Sequence, residues 1–277
     1  MRKLLSANCH ALCKNKLFWI ELICCALFAG WIMLINYSPK IQSSADALHL
    51  EDSFFTMYQS LCIILAAAIS LITGTEYTDG TIRNKLIVGH SRADIYFSIL
   101  LTNLGACLAA IAVHGICSFG VGFFLFGAFT LPAGQVAVAI LCAALANLVF
   151  TALFAAVALN CSNRSVTAVV SLLLTLFILF AASYVGNRLS EPEMTYDSLV
   201  ITENGFQYGD LIQNPNYVSG FTRSVFAFLY DLLPAGQLIQ IYSLELAHWP
   251  QWSVMSALLF AAITAIGFSL FRKKDIR

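Results

Sequence analysis

Six stretches of this sequence run for about 20 residues or more with almost no charged side chain, and that feature limits the fold more than any other. They are residues 17–37, 54–73, one span inside 95–129, 135–159, 166–186 and 253–271. An α-helix rises about 1.5 Å per residue, so about 20 apolar residues match a hydrocarbon core roughly 30 Å thick. Composition agrees: 59% of the 277 residues are hydrophobic and only 11% are charged, against about 25% in soluble domains. The expected fold class is all-α, a polytopic membrane protein with six transmembrane helices in one domain over residues 1–277. The third run, 95–129, is too long for one span and too short for two. It reads as one long or tilted helix, with a broken pair of half-helices at Gly115, Gly120 and Gly122 as the alternative.

The net charge of zero excludes a basic nucleic-acid binder, but the charges are unevenly placed. With the N-terminus in the cytoplasm, 12 of the 15 Lys and Arg residues fall in the inside pieces 1–16, 74–94, 160–165 and 272–277. Lys40, Arg188 and Arg223 alone fall outside, together with ten of the 15 acids, among them Glu191, Glu203 and Asp231. The positive-inside rule therefore predicts both termini cytoplasmic. The first run exceeds the 7–15 residues of a signal-peptide core and reads as a retained helix. None of the nine cysteines falls in an outside piece, so no extracellular disulfide framework is expected. Cys9, His10 and Cys13 lack a fourth metal ligand nearby and read as part of a helix.

The chain has no phosphate loop of the G-x-x-x-x-G-K-[ST] type and no hydrolase signature, so neither ATP binding nor catalysis is expected of it. Two ionisable residues sit at membrane depth. Glu21 is four residues into its span, either reaching the headgroups beside Lys14 and Lys16 or serving a function. His114 lies mid-run, either as a neutral imidazole bonded to a neighbouring helix or as a functional group. A self-contained proton-coupled carrier or channel using His114 and Glu21 is the rival reading. Residues 1–16 place Leu4, Leu5, Cys9, Leu12 and Cys13 at helical spacing among Arg2, Lys3, His10 and Lys14, which predicts an amphipathic interfacial helix.

The segment 74–94 is the most informative. Asp79 or Thr81 is positioned to cap a short helix holding Ile82, Leu86 and Ile87, with Arg83, Asn84 and Lys85 turned elsewhere and Gly89 ending it. Such a helix has more surface than the few other inside residues can cover, which predicts a cytoplasmic partner. With Gly74, Glu76, Tyr77, Gly80, Thr81, Ile82, Arg83, Asn84 and Lys85 followed by Gly89, Ser91 and Arg92, and with the ending Phe271-Arg-Lys-Lys-Asp-Ile-Arg277, the chain resembles the membrane subunit of ATP-binding cassette (ABC) transporters of the type-2 permease class.

That resemblance implies that 74–94 is a coupling loop seated on an ATP-binding subunit, with Glu76, Asp79, Arg83, Lys85, Gly89 and Arg92 making or supporting the contact. It implies two such subunits carrying ATP and Mg, a second permease copy or homologous permease, and a multi-pass place in a bacterial inner or plasma membrane. It also implies export, and it says nothing of the cargo. An amphipathic or hydrophobic cargo (peptide, drug or lipid) would suit an inner cavity lined by Phe123, Phe124 and Phe126.

Within 187–252, the apolar stretch 225–246 is interrupted by Asp231 and by Pro234-Ala235-Gly236. A straight span there would bury a carboxylate and break its hydrogen-bond ladder, so two short re-entrant helices turning at Pro234 and Gly236 are expected. The resemblance implies such a re-entrant element near the outer exit of the pathway, which makes Asp231, Pro234 and Gly236 candidates for the pathway or gate; a plain interfacial loop is the alternative, and His114 is a further candidate by its depth alone. Tyr184, Tyr217, Tyr230, Tyr242, Trp249 and Trp252 read as interface anchors. The triplets at Asn160 and Asn163 match the glycosylation pattern by chance, since they fall inside.

Overall fold

A computed structural model describes residues 1–37, 48–202 and 205–275. Lys40, Asp46, Glu203 and Arg277 of the charge map, and with them Ile276 of the tail, lie outside the described residues. The chain begins with α1 (Arg2–Lys14), which Asn15 ends by donating its backbone N–H to the Leu12 carbonyl. The Asn15 side chain then accepts from the Leu17 N–H and starts α2 (Lys16–Asn36). The short α3 (Leu50–Phe54) leads into α4 (Thr56–Thr78), followed by the seven-residue α5 (Thr81–Ile87). Next come α6 (Arg92–Phe126), α7 (Ala133–Asn160) and α8 (Arg164–Ser190). An elbow of α9 (Gly220–Leu232) and α10 (Pro234–Tyr242) precedes the last helix, α11 (Trp249–Lys273).

Among the described residues six helices are long and apolar enough to cross a membrane, in the six places the charge-free runs predict. The helices overshoot those runs. α6 is a single 35-residue helix, so the broken-pair alternative does not hold. Its Ser91 cap accepts from the Asp94 N–H, which carries the helix back beyond the apolar run to Arg92.

α7 is the middle of the bundle. Ala139, Ala143, Ala146, Ala152, Ala155 and Ala158 are all fully buried on it, and such small side chains let neighbouring backbones approach. It packs most extensively on α11 and α4, while α4 also holds α8 and α2, and α2 lies along α6. Polar side chains tie the layers together. Ser70 bonds Ser171 at 2.7 Å, Asn103 donates to the Thr73 hydroxyl at 2.9 Å, and Asn147 donates to the Tyr58 carbonyl at 3.2 Å. Asn160 donates to the Gly267 carbonyl at 3.1 Å and Asn163 caps α8, which gives both triplet asparagines structural roles.

The four basic pieces of the chain meet at one end of the bundle. Asn8 of α1 donates to Ser98 of α6, the Arg92 guanidinium donates to the Phe271 and Lys274 carbonyls, and the Tyr77 hydroxyl donates to the Leu159 carbonyl. Lys274 lies 3.9 Å over the Tyr77 ring, where burial lowers its pKa. The acidic pieces meet at the other end, where Glu51 accepts from Thr130 and Arg188 reaches Asn216.

Between α8 and α9 the chain forms something the apolar pattern did not predict, an antiparallel ribbon of nested pairs. β1 (Met194–Tyr196) pairs with β4 (Leu211–Gln213), and β2 (Leu199–Thr202) pairs with β3 (Gly205–Tyr208). It leaves the class unchanged: the protein is an all-α polytopic membrane protein.

The elbow corrects a detail. The 89° bend falls at Leu233 and Pro234, with Pro234 at the first position of α10, where a missing N–H costs nothing. Gly236 is inside α10 rather than at the turn, and a Cβ there would stand 2.1 Å from the Tyr230 carbonyl oxygen. Gly236→Ala should therefore push α10 off α9 and cost about 1–3 kcal/mol, read as a fall in the melting temperature of the purified protein. An unchanged melting temperature would show that the elbow relaxes freely.

Candidate functional site

The loop at the basic end is built from a turn. Gly80 adopts φ +66°, a left-handed conformation that leads directly into α5. Gly80, and neither Asp79 nor Thr81, occupies the cap position; no side chain caps the helix. The Thr81 hydroxyl instead bonds back to Glu76, to its carbonyl at 2.9 Å and to its carboxylate. At the far end the Gly89 N–H bonds the Leu86 carbonyl and the His90 N–H bonds the Lys85 carbonyl, with Gly89 at φ +96°. These are the two bonds of a Schellman stop, so Gly89 ends the helix as its position in the sequence predicts.

The proposed contact residues divide into two groups. Glu76 and Lys85 face each other at 2.6 Å, and Lys85 also donates to the Asn8 side chain at 3.0 Å, continuing through Asn8 to Ser98. Arg92 is committed to the end of α11. These three hold the loop to α1, α4, α6 and α11. Asp79, Arg83 and Gly89 are exposed. Ile82 is fully buried in a cluster with Leu4, Ile95, Tyr96 and Phe271, whereas Ile87 and Val88 are 72% and 77% exposed. The loop thus presents two adjacent apolar side chains and one arginine on a braced support. A polar cavity of about 210 Å³ lies behind it, between α1 and the ends of α4 and α6, with Asn8, Asn15, Glu76 and Asn103 in its walls.

On α1 the buried stripe is Leu4, Asn8 and Leu12, while Cys9 and Cys13, expected on the apolar face, are exposed. One buried position of this amphipathic helix is therefore polar, and it is the one that meets Lys85.

At the opposite end, Asp231 closes α9 from the inside. Its carboxylate accepts from the Trp252 indole at 3.0 Å, from Gln240 at 3.1 Å and from His248 at 3.0 Å. The Gln237 amide spans the bend, donating to the Asp231 carbonyl at 2.8 Å and accepting from Ser256 at 2.8 Å. The bend does not expose Asp231, which is 7% exposed; it brings donors to it. Trp252, expected as an interface anchor, is fully buried as one of them. Neither His248 nor Trp252 is expected from the sequence as a partner of Asp231, although their four-residue spacing puts both on one side of the start of α11. Beside this cluster a cavity of about 570 Å³ opens between α8, α9 and α10, with Asn187, Arg223, Tyr230 and Glu245 in its walls.

The family model described as ABC-2 family transporter protein matches residues 4–182, from α1 through most of α8. The chain belongs to the ABC-2 transporter family. No curated protein matches it. Membership makes the chain the membrane component of an ABC transporter, working with ATP-binding subunits and not itself the ATPase. The matched stretch includes the braced loop and five of the six long helices and ends before the elbow.

For an ABC-2 permease the two groups at membrane depth are unevenly placed. His114 is fully buried, with Nδ1 3.2 Å from the Cys25 carbonyl oxygen and, among the described residues, no hydrogen-bond partner at Nε2. Glu21 does not reach the headgroups beside Lys14 and Lys16. It is 2% exposed, and among the described residues neither carboxylate oxygen has a hydrogen-bond partner. Among the described residues no hydrogen bond or ion pair joins Glu21 to His114, so the relay of the rival reading is not assembled. Phe123 and Phe124, expected to line an inner cavity, face outward at 47% and 88% exposure.

Proposed function

We propose that this chain is the permease subunit of an ABC exporter that moves an amphipathic or hydrophobic molecule out across a bacterial plasma membrane. It works with two ATP-binding subunits and a second permease, identical or homologous. The basic end faces the cytoplasm, where positive loops are retained. The observation that carries the reading is the exposed Ile87-Val88 pair beside Arg83, on a loop that Glu76, Lys85 and Arg92 fasten to four helices. A partner that grips such a loop moves the bundle with it, and ATP binding then selects between two arrangements of the spans. The elbow and its 570 Å³ cavity at the acidic end suit an outer exit, with Asp231 and Pro234 fixing the geometry and Gly236 allowing the close packing.

The test is affinity purification of the tagged chain from its native membrane in mild detergent. An ATP-hydrolysing subunit is expected to accompany the wild type and to be lost or much reduced with the Arg83→Glu variant, whose changed side chain is exposed and, among the described residues, makes no brace within the loop. A folded wild-type chain that arrives without any such subunit would defeat the reading.

A further inference from the structure

The cavity of about 570 Å³ at the acidic end has polar walls, and its place along α8 sets its depth. The α8 wall runs from Ser183 to Ser190, on the order of 29–39 Å along the helix from Arg164 at the basic end. A hydrocarbon core is roughly 30 Å thick, and headgroup layers bring the whole to about 40–45 Å. That stretch of wall therefore stands among the headgroups of the far leaflet.

Two opposite charges in the wall are left over. Asp231 is already met by three donors of its own. The Arg223 guanidinium bridges α9 to α8, donating to the Leu189 carbonyl at 3.0 Å and to the Val218 carbonyl at 3.4 Å. Leu189 itself lines the cavity, so this bond holds the guanidinium at the wall, with three of its five N–H donors to spare. Glu245 follows α10 and is exposed. Among the described residues neither Arg223 nor Glu245 has an ion-pair partner. Glu245 acts electrostatically on the Tyr230 hydroxyl, which lies against Gly186, where a Cβ would stand 2.8 Å from it. Gly186 and Leu189 are about 4.5 Å apart along α8, so the acid and the cation address the same turn of that helix.

The same helix carries an apolar surface from the cavity towards the membrane core. Asn187 in the wall follows Tyr184, Phe180 and Phe177 at three- and four-residue spacing, and those three are 56%, 72% and 71% exposed. An anionic head in the cavity would meet Glu245, a cationic one Arg223, and an uncharged one would satisfy neither. What fits is a head carrying both charges, on chains that leave along the stripe.

We propose that this cavity holds the headgroup of a zwitterionic phospholipid of the far leaflet, its phosphate on Arg223, its ammonium on Glu245 and its chains along Phe180 and Phe177. The volume lies within the range of small-molecule sites. The inference rests on the permease reading only for the side of the membrane that supplies the lipid.

The test titrates the full-length chain, delipidated in maltoside detergent, with phosphatidylethanolamine or with phosphatidylglycerol of the same acyl chains, and counts bound lipid by native mass spectrometry. Wild type is expected to bind the ethanolamine lipid about fivefold or more tightly than the glycerol lipid. Glu245→Gln, a change at an exposed side chain, should bring the two within about twofold. Arg223→Gln should weaken both by about tenfold, and Arg223→Lys should recover part of the loss. Ala227→Trp, which fills the cavity and leaves both charges in place, should lower binding of both lipids. Glycerophosphoethanolamine, the same head without chains, should displace the lipid only at concentrations about tenfold or more higher. Displacement at equal concentration would make the occupant a soluble zwitterion and overturn the lipid assignment. Equal binding of the two lipids by wild type overturns the proposal, as does a preference that persists in Glu245→Gln or binding undiminished in Ala227→Trp. No ATP and no partner enter the readout, so a failure here leaves the permease reading standing, and the absence of an ATP-hydrolysing partner would leave this site standing.

Discussion

The Ile87→Asp, Val88→Asp double variant is expected to insert and fold like the wild type while losing its ATP-hydrolysing partner, with coupled transport falling by at least about thirtyfold. Both side chains are more than two-thirds exposed, so replacing them removes little contact within the chain. An isolated pair of exposed apolar residues is ordinary on a soluble surface. Here Ile87 ends a helix whose Ile82 is buried and whose Leu86 is partly buried, and Val88 follows it at a stop set by two backbone hydrogen bonds, so the pair is held in one place. Well-packed apolar anchors at interface centres are typically worth about 2 kcal/mol or more each when removed. Two aspartates would in addition bury charge against the partner.

The contrast is Ile82→Asp. Ile82 has no exposed surface and packs with Leu4, Tyr96 and Phe271, so that change should cost folding and lower recovery of the chain. Retention of the ATP-hydrolysing subunit by the double variant, measured by co-purification, would remove the loop tip from the interface.

Much of this architecture is legible in the sequence, because a charge-free run of span length has few ways to be satisfied. The ends of the spans are less legible, since helices continue wherever polar side chains find partners. α4 runs past its apolar stretch to Thr78 because Glu76 and Tyr77 bond across to Thr81 and to the end of α7. α8 runs on to Ser190, and its last-turn Arg188 reaches Asn216 across the base of the strand ribbon.

The resemblance singled out Glu76 and Lys85 but not their direction. They stand nine positions apart, and only the left-handed turn at Gly80 folds α5 back far enough to bring them to 2.6 Å. The ribbon went unseen because its strands are three or four residues long, too short for a two-residue period to stand out. Glu21 was misplaced for a related reason. Its distance from the span end permits snorkelling, and only the packing of α2 against α4 and α6 shows that the side chain is enclosed.

Asp231 carries the second large expectation. Asp231→Ala should lower stability by about 2–4 kcal/mol, because it leaves the buried Trp252 indole and Gln240 amide without their shared acceptor, whereas His248, half exposed, can turn to water. For a chain of this size that corresponds to a fall of roughly 10 °C in melting temperature. The measurement is an apparent melting temperature in one detergent at one scan rate, since unfolding of such proteins is commonly irreversible. Asp231→Asn should lose about half as much, for it keeps one acceptor oxygen and gives the His248 ring a donor to meet. The elbow's position depends on these same bonds. Asp231 lies on α9, Gln240 on α10 and Trp252 on α11, so a single carboxylate fixes the bend against the last long helix. If Asp231→Ala melts within about 2 °C of wild type, the bend is held by apolar packing at Pro234, Leu238 and Ile241 instead, and the carboxylate is free for another role.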